Sequence, residues 1–180
     1  MARLTQIADS NASAETAALF DVIRKTVGMV PNLYRVAGNQ PAALSGLLGL
    51  NEALAGGRFD TRTREAIALT VAGANGCDYC ASAHAAISTG LKVPSETIDD
   101  HLAGRSSDPR TAAVLSLATE IVERRGKVSD DDIASARAAG LDESDIVETV
   151  ANVVANIFTN YLNHVAETDI DFPTRRARVA

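Results

Sequence analysis

Hydrophobic residues recur every three or four positions in one segment of this 180-residue chain after another, and polar residues lie between them. No stretch shows the sustained alternation of apolar and polar residues that is typical of a half-buried strand. Glycines, prolines and capping residues separate the segments, and low-complexity linkers are missing. The pattern therefore predicts an all-α protein with a single domain.

Start and stop signals place the individual helices. An acceptor side chain before a segment caps the first backbone N–H groups, and a glycine after it allows the left-handed turn that ends a helix. Proline fits the first turn because its missing N–H is not needed there. The signals of this kind are Ser13, Gly28, Pro41, Gly56, Asp60, Gly76, Gly90 and the pair Ser129 and Asp132.

The longest predicted helix covers about residues 143–167. Its apolar residues follow helical spacing and define one stripe, which consists of Ile146, Val150, Val153, Val154, Ile157, Tyr161 and Val165. Beside that stripe, Asn152, Asn156, Asn160 and His164 recur every four residues. Such a row indicates hydrogen bonds at a helix–helix seam or a subunit contact, or else one wall of a pocket.

The chain divides into an N-terminal helical segment over residues 1–29, a main helical domain over residues 30–173 and a short tail over residues 174–180. Only a proline-bounded connector, VPNLYRVAGNQ, separates the first segment from the rest of the main domain. The tail is basic, and the ends of a chain are often poorly ordered. We therefore expect a mobile basic tail.

Composition and charge narrow the possible functions. Charged residues make up 22% of the chain and the net charge is −6, so the concentrated Lys and Arg that nucleic-acid binding requires are missing. No segment reaches the roughly 18 apolar residues that span a bilayer, and the N-terminus lacks the apolar stretch of a signal peptide. We expect a cytoplasmic protein, in which two cysteines are more often catalytic or metal-binding than structural.

Both cysteines, Cys77 and Cys80, lie where a predicted helix begins. A three-residue step on a helix brings two Cα atoms to about 5 Å, within the range of a disulfide, and a helix N-terminus stabilises a thiolate. His84 lies one turn after Cys80 and can accept a thiol proton directly or through a water. The helix dipole favours Cys77 as the more acidic thiol and His84 favours Cys80; we expect the histidine to decide.

Glu65 lies in a segment that is apolar on nearly all sides, where a buried carboxylate needs a partner. If the chain turns at Gly76 and the flanking helices run antiparallel, Glu65 and His84 both lie about 12–15 Å from the turn and can face each other. Such a contact raises the basicity of the imidazole. The alternative is a salt bridge from Glu65 to Arg62, Arg64 or another arginine.

Two other interpretations of the cysteine pair stay open. A CxxC pair with a nearby histidine can bind zinc, with His101, His164 or Glu65 as more distant ligands, and the chain would then be a zinc-stabilised helical interaction protein. The cysteines can also be inert residues of the core. A thioredoxin-like fold does not fit, because it needs strands that alternate with helices.

Glu65, Cys77, Cys80 and His84 form the pattern E-x11-C-x2-C-x3-H. The pattern resembles the active-site signature of the AhpD-like alkylhydroperoxidases within the carboxymuconolactone decarboxylase superfamily. The flanking stretches VPNLYRVAGNQPAAL and NIFTNYLNHVAETDIDFP are similar to those of its peroxidase-related branch. The resemblance covers most of the chain, about residues 30–173.

The resemblance implies a helical bundle that forms homo-oligomers, often trimers or hexamers, and an antioxidant enzyme that reduces hydroperoxides. It implies that Cys80 attacks the peroxide and Cys77 resolves the product into a disulfide, while Glu65 and His84 relay protons. Beyond that disulfide it implies no cofactor or metal. Electrons would come from a lipoyl or thioredoxin-like dithiol, or pass to and from a peroxiredoxin. The alternative is a disulfide reductase or exchange protein with little peroxide activity.

One position departs from the pattern of the family. AhpD-like proteins have a histidine just before the second cysteine, where this chain has Tyr79. A phenol titrates near about 10 and cannot replace a base at neutral pH, although it can donate a hydrogen bond. We expect Tyr79, Asn160 and His164 to line the pocket or an interface, and His101, which follows two aspartates, to be exposed on its helix.

Overall fold

The computed structural model describes residues 2–177, and helices are the only regular elements within that range. This confirms the all-α prediction. A short 3-10 helix at Asp9–Asn11 precedes the α-helices. Their bounds are α1 Ala14–Val27, α2 Asn32–Ala37, α3 Pro41–Ala55, α4 Thr61–Asn75, α5 Asp78–Gly90, α6 Ser95–Leu102, α7 Pro109–Glu123, α8 Asp130–Ala138 and α9 Glu143–Ala166.

The capping residues act at the positions that the sequence indicates. The Ser13 side chain accepts a hydrogen bond from the Thr16 N–H at the start of α1, and Asp60 caps α4 in the same way. Gly28 and Gly76 end α1 and α4 with φ of +84° and +68°, in the left-handed region that favours glycine. Local sequence therefore sets where these helices begin and end.

Helix α4 is the centre of the fold. It packs against α5, α6, α7 and α9, and every side chain in residues 66–72 is buried. Ile67 and Val71 join the core formed with α7 and α9, and Leu69 joins the cluster around the two cysteines. Because Glu65 lies on this helix, core packing on several sides fixes the position of its carboxylate.

Helices α4 and α6 meet at Gly73. A Cβ atom on this residue would collide with the carbonyl oxygen of Leu102 at the end of α6. One turn earlier, the Thr70 hydroxyl donates a hydrogen bond to the carbonyl of His101, 2.8 Å away. The two helices are therefore in direct backbone contact at this point, and only glycine fits between them.

The residues after α9 return across the start of α5. Asp171 accepts a hydrogen bond from the Tyr79 hydroxyl at 2.8 Å. The backbone N–H of Arg175 donates to the Ser82 hydroxyl at 2.8 Å, and that of Ala177 donates at 2.9 Å to the aspartate that begins α5. This C-terminal segment therefore covers the end of the helix that carries both cysteines.

The expectation of a mobile basic tail is wrong for residues 175–177, and residues 178–180 lie outside the described range. Arg175 forms an ion pair with Asp99, and Arg176 forms one with Asp78. Ala177 is only 2% exposed and packs in the cluster around the cysteines. The two arginines thus attach the segment to acidic residues of α5 and α6.

The apolar stripe of α9 is divided between the core and the surface. Val153 is buried, and Ile146 and Ile157 pack partly against the core. No helix within residues 2–177 is long and apolar enough to cross a membrane. Four members of the stripe nevertheless face outward and are 41–61% exposed, namely Val150, Val154, Tyr161 and Val165.

Replacement of Gly73 by alanine tests the backbone contact between α4 and α6. The new methyl group pushes the two backbones apart, so we expect the free energy of unfolding to fall by at least about 2 kcal/mol. Urea denaturation followed by circular dichroism measures this change. Gly49→Ala in α3 is the matched control.

A Cβ atom at Gly49 meets no atom within 4 Å, and this helical position is exposed. Alanine should therefore stabilise the fold there by about 0.5–1 kcal/mol, because it restricts the unfolded chain and favours helix. Equal unfolding free energies for the two variants would contradict the contact between α4 and α6.

Candidate active site

A cavity of about 310 Å³ lies among α2, α3, α4, α5 and α9. Most of the side chains that line it are apolar, so it favours an organic group over bulk water. The side chains with reactive or titratable groups that face it include Cys80, His84 and Glu65. The apolar walls include Val27, Leu33, Leu54, Ala68, Ile87 and Phe172.

The two cysteines form a close pair at the start of α5. Cys77 is the N-terminal capping residue, and its Sγ accepts a hydrogen bond from the Cys80 N–H at 3.3 Å. The two Sγ atoms lie 2.6 Å apart, so a disulfide can form with little movement of the backbone. Both are almost sealed from solvent, since Cys77 is 1% and Cys80 2% exposed. Of the two, Cys80 lines the cavity.

The two thiols differ in acidity. The Cys80 thiol and the Cys80 backbone N–H form hydrogen bonds to the Cys77 sulfur, and the charge of His84 attracts a thiolate there. Together these effects outweigh burial and lower the pKa of Cys77. Burial, followed by the adjacent Cys77, raises the pKa of Cys80 well above that of a free thiol. Among residues 2–177, no hydrogen bond joins His84 to either sulfur. These directions contradict the expectation that His84 makes Cys80 the more acidic thiol, because the Cys80 thiol and N–H bond to Cys77 while burial disfavours a charge on Cys80.

Glu65 and His84 make the contact that an antiparallel arrangement of α4 and α5 predicts. The Glu65 Oε2 and His84 Nδ1 atoms are 2.8 Å apart. Burial opposes a charge on the imidazole, but attraction by the Glu65 carboxylate outweighs it and raises the pKa of His84. Arg62 and Arg64 bind backbone carbonyl groups instead of Glu65. With Nδ1 held, Nε2 is the nitrogen that can exchange protons with a bound molecule.

Asn163 contacts the sulfur pair from α9 and was missed in the sequence. Its Nδ2 donates a hydrogen bond to the Sγ of Cys80 at 3.3 Å. Its Oδ1 has no hydrogen-bond partner within residues 2–177. Asn152, Asn156 and Asn163 share one side of α9 at spacings of four and seven, and this longer repeat is the sequence signal that leads to Asn163.

Both the sequence and the fold have relatives among known proteins. The carboxymuconolactone decarboxylase family matches residues 41–124, which include the whole pattern from Glu65 to His84. The structure is similar to that of an alkylhydroperoxidase AhpD core protein from Ralstonia eutropha JMP134, an uncharacterized peroxidase-related protein. That protein is 19% identical, with 94% of this chain and 92% of that chain covered and a TM-score of 0.83. The chain therefore contains a region similar to this family, and it has the AhpD-like fold.

Two further structures have the same fold. A peroxidase-related protein from Silicibacter sp. TM1040 is 20% identical, with 93% of this chain and 89% of that chain covered and a TM-score of 0.80. The debrominase Bmp8 is 20% identical, with 94% of this chain and 92% of that chain covered and a TM-score of 0.79. At these identities the likeness establishes the fold alone. No curated protein sequence matches the chain significantly.

Tyr79 lines the cavity, but its hydroxyl already donates one hydrogen bond and accepts another. The hydroxyl donates to Asp171 at 2.8 Å and accepts from the Leu33 N–H at 3.0 Å. Its ring meets Phe172 edge to face, with ring centroids 5.9 Å apart. Burial and the nearby Asp171 carboxylate raise the pKa of Tyr79, so the phenol stays protonated. Tyr79 therefore holds α2 and the C-terminal segment against α5.

The other predicted polar residues lie in different environments. Asn160 is fully buried in the seam between α4 and α9, where its Oδ1 accepts from Asn75 at 3.0 Å. His164 is exposed on α9, and neither residue lines the cavity, so the pocket interpretation is wrong for both. A subunit contact stays a prediction for His164. Asn152 and Asn156, from the same row, do line the cavity.

The prediction that His101 is exposed is wrong. The residue is only 8% exposed, because α6 packs closely against α4 at this point, and burial lowers the pKa of His101. Within residues 2–177, no three His, Cys, Asp or Glu side chains are grouped so that they could hold a metal ion.

Replacement of Glu65 by glutamine tests the pair with His84. We expect the pKa of His84 to fall, because burial then acts without the opposing carboxylate. A raised pKa means that the pair stabilises the fold fully below about pH 6.5 and loses this effect as pH rises through the folded-state value. The loss of stability in Glu65→Gln, about 1–3 kcal/mol, should therefore be larger at pH 6 than at pH 9.

NMR titration of the histidine ring protons measures the pKa of His84, and urea denaturation at the two pH values measures stability. The ring of His101 serves as the internal control, since it does not contact Glu65. An unchanged His84 titration in the variant would show that Glu65 does not hold the imidazole.

Replacement of Asn163 by leucine tests its hydrogen bond to Cys80. In a Cys77→Ser background, we expect alkylation of Cys80 by iodoacetamide at neutral pH to slow about tenfold, the effect of about 1.4 kcal/mol on thiolate formation. Leucine has the same number and branching of side-chain heavy atoms, and it removes an acceptor that has no partner in the described structure. Asn156→Leu is the control, because Asn156 lines the cavity without contacting sulfur. Equal alkylation rates in the Cys77→Ser protein and in its Asn163→Leu and Asn156→Leu derivatives would exclude a role for Asn163 in thiolate formation.

Proposed function

We propose that this AhpD-like protein is an antioxidant thiol-dependent peroxidase that reduces organic hydroperoxides through a Cys77–Cys80 disulfide cycle. One observation carries the proposal. Two sulfurs lie 2.6 Å apart, and one of them faces an apolar cavity that also contains a Glu65–His84 pair. An oxidisable pair, a proton-transfer group and room for an organic substituent are the parts that the reaction needs.

Access and acidity assign different tasks to the two cysteines. Cys80 faces the cavity, so a hydroperoxide that enters there meets its sulfur first. Cys77 is the more acidic thiol and lies behind it. We therefore assign peroxide attack to Cys80, and the Cys77 thiolate accepts the Cys80 proton as the attack begins. Asn163 supplies a hydrogen bond to the sulfur that becomes negative.

In the first step, the Cys80 sulfur attacks one peroxide oxygen and the O–O bond breaks. Cys80 becomes a sulfenic acid and is oxidised by two electrons, while the other oxygen leaves as an alkoxide. The protonated His84, held by Glu65, gives its proton to this alkoxide to form the alcohol. At the end of the step Cys77 is a thiol and His84 is neutral.

In the second step, neutral His84 removes the proton from Cys77 through a bridging water, since the two side chains share no direct hydrogen bond. The thiolate attacks the sulfur of the Cys80 sulfenic acid, and an S–S bond replaces the S–O bond. The hydroxide that leaves takes the proton from His84 and departs as water. An external dithiol, such as a lipoyl group, a thioredoxin-like protein or a peroxiredoxin partner, then reduces the disulfide by exchange and is itself oxidised.

A second candidate function is disulfide exchange with little peroxide turnover. The observation that favours it is Tyr79, whose hydroxyl is fully engaged with Asp171 and Leu33 and offers no proton to a peroxide. Reductive debromination is a third reaction to compare. The debrominase Bmp8 has the same fold, and one of its structures holds 2,3,4-tribromopyrrole. Reduction of a brominated pyrrole would use the same sulfur pair and the same external dithiol.

Turnover of four substrates by one preparation tests these functions. Hydrogen peroxide, cumene hydroperoxide, a lipoyl disulfide and a brominated pyrrole are supplied with a dithiol, and loss of each substrate is measured. We expect cumene hydroperoxide to be reduced fastest, because the cavity walls are apolar. Cys80→Ser should lose at least about a hundredfold of this activity, since the attacking sulfur is gone.

The Cys77→Ser variant locates the first oxidation. One equivalent of hydroperoxide should leave a sulfenic acid on Cys80, detected by mass spectrometry after trapping with dimedone. A sulfenic acid confined to Cys77 in the Cys80→Ser variant would reverse the assignment. Exchange of the lipoyl disulfide without peroxide turnover would favour the second candidate. One bound zinc per chain and no titratable thiols in the reduced protein would contradict both.

A further inference from the structure

Tyr34 is a second tyrosine that lines the cavity, in addition to Tyr79. It lies on α2 and is half-buried. Its ring packs between the cluster around the two cysteines and a second cluster that includes Phe20 of α1 and Leu44 of α3. Contacts on two sides therefore restrict the ring, while the residue still borders the cavity.

The hydroxyl of Tyr34 differs from that of Tyr79. The Tyr79 hydroxyl already donates to Asp171 and accepts from Leu33. Within residues 2–177 the Tyr34 hydroxyl forms no hydrogen bond, and its oxygen is not one of the buried polar atoms that lack a partner. Its O–H group is therefore both unpaired and accessible, and it can donate to a molecule in the cavity.

Other polar groups on the cavity walls donate hydrogen bonds within the protein. The Nδ2 atoms of Asn152 and Asn156 each donate to a backbone carbonyl one turn earlier, at 2.9 Å. The Thr159 hydroxyl donates to the Asn156 carbonyl at 2.9 Å, and the guanidinium of Arg64 donates to a backbone carbonyl at 2.6 Å. Compared with these groups, Tyr34 has its donor fully available to a ligand.

The phenol of Tyr34 stays protonated. Burial and the negative charge of Glu65 raise the pKa of Tyr34 above that of a free phenol. The group is therefore a hydrogen-bond donor at neutral pH and not a base. Because Glu65 also holds His84, the phenol, the carboxylate and the imidazole border the same cavity as the Cys80 sulfur.

Hydrogen bonds from α5 and the C-terminal segment fix the start of α2. The Leu33 N–H donates to the Tyr79 hydroxyl at 3.0 Å, and the Asn32 N–H donates to the Asp171 carboxylate at 2.8 Å. Tyr34 is the next residue along the chain. Tyr79 and Asp171 are therefore positioning residues, which hold the phenol of Tyr34 at a set place relative to the sulfur pair.

We propose that the Tyr34 hydroxyl donates a hydrogen bond to the oxygen that leaves with the organic group when Cys80 attacks a hydroperoxide. This role rests on the peroxidase function proposed above. Negative charge develops on that oxygen as the O–O bond breaks, and a donor already in place at the developing charge lowers the barrier. Tyr34 keeps its own proton, and the leaving oxygen takes its proton from His84. Tyr34 thus supplies the hydrogen bond that Tyr79 does not.

Replacement of Tyr34 by phenylalanine removes the donor and keeps the ring. The reduced protein is mixed with excess cumene hydroperoxide, and thiol titration after an acid quench measures a single turnover. We expect the maximum rate to fall about 10–100-fold, the effect of one hydrogen bond to a charged group. The half-saturating concentration should change less than about twofold, because the bond strengthens only in the transition state. Tyr161→Phe is the matched control, since Tyr161 is 55% exposed and does not line the cavity.

A second oxidant separates a hydrogen bond to the leaving oxygen from general damage to the site. Perbenzoic acid releases benzoate, a weak base that carries its charge without a donor. Tyr34→Phe should therefore slow this oxidation less than about threefold. A disturbed cavity would slow the two oxidants equally. Thermal unfolding of Tyr34→Phe should match that of the wild type, because the hydroxyl has no partner within residues 2–177.

The outcomes distinguish the role of Tyr34 from the function itself. Equal rates for the wild type and Tyr34→Phe with cumene hydroperoxide, or equal losses with both oxidants, would overturn the role of Tyr34 and leave the peroxidase function standing. An equal loss in Tyr161→Phe would also overturn it. A wild type that keeps both thiols in the presence of hydroperoxide would overturn the peroxidase function, and the role of Tyr34 with it.

Discussion

The turn at Gly76 is the constraint on which the rest of the structure depends. Its left-handed backbone reverses the chain, so that α4 and α5 run antiparallel and the Cys77 N–H donates to the Ala72 carbonyl at 2.9 Å. The same turn makes Cys77 the capping residue of α5 and sets Glu65 opposite His84. A single backbone conformation therefore positions both the acidic thiol and the group that holds a proton beside the cavity.

The two cysteines differ in acidity and in access to the cavity, because they are buried in different surroundings. The N-terminus of α5 stabilises negative charge on Cys77, whereas Cys80 lies deeper in apolar surroundings but faces the cavity. The C-terminal segment, attached through Tyr79 and Ser82, covers the same end of the helix from outside. Small molecules therefore meet the sulfur pair through the cavity, and acidity and access belong to different sulfurs.

Helix α9 connects the sulfur pair to the outer surface. Its inner side supplies the amide of Asn163 to Cys80, and its outer side exposes apolar side chains such as Val154 and Val165.

The sequence by itself determined the features that rest on local geometry. Helix ends follow from capping residues and glycines within a few positions, and the contact of Glu65 with His84 follows from counting residues on either side of Gly76. The spacing of Cys77 and Cys80 fixes their closeness in the same way. Each of these depends on backbone geometry over at most about twenty residues, which helical periodicity describes well.

Only the tertiary structure decided what each helix face meets. Periodicity shows that Val150 and Val154 share a side of α9, but not that this side points away from the core. Likewise, the burial of His101 and the docking of Arg175 rest on contacts between segments far apart in the chain. The acidity of Cys80 depends on desolvation, which arises from all the elements packed around the sulfur and is not encoded in any neighbouring residue.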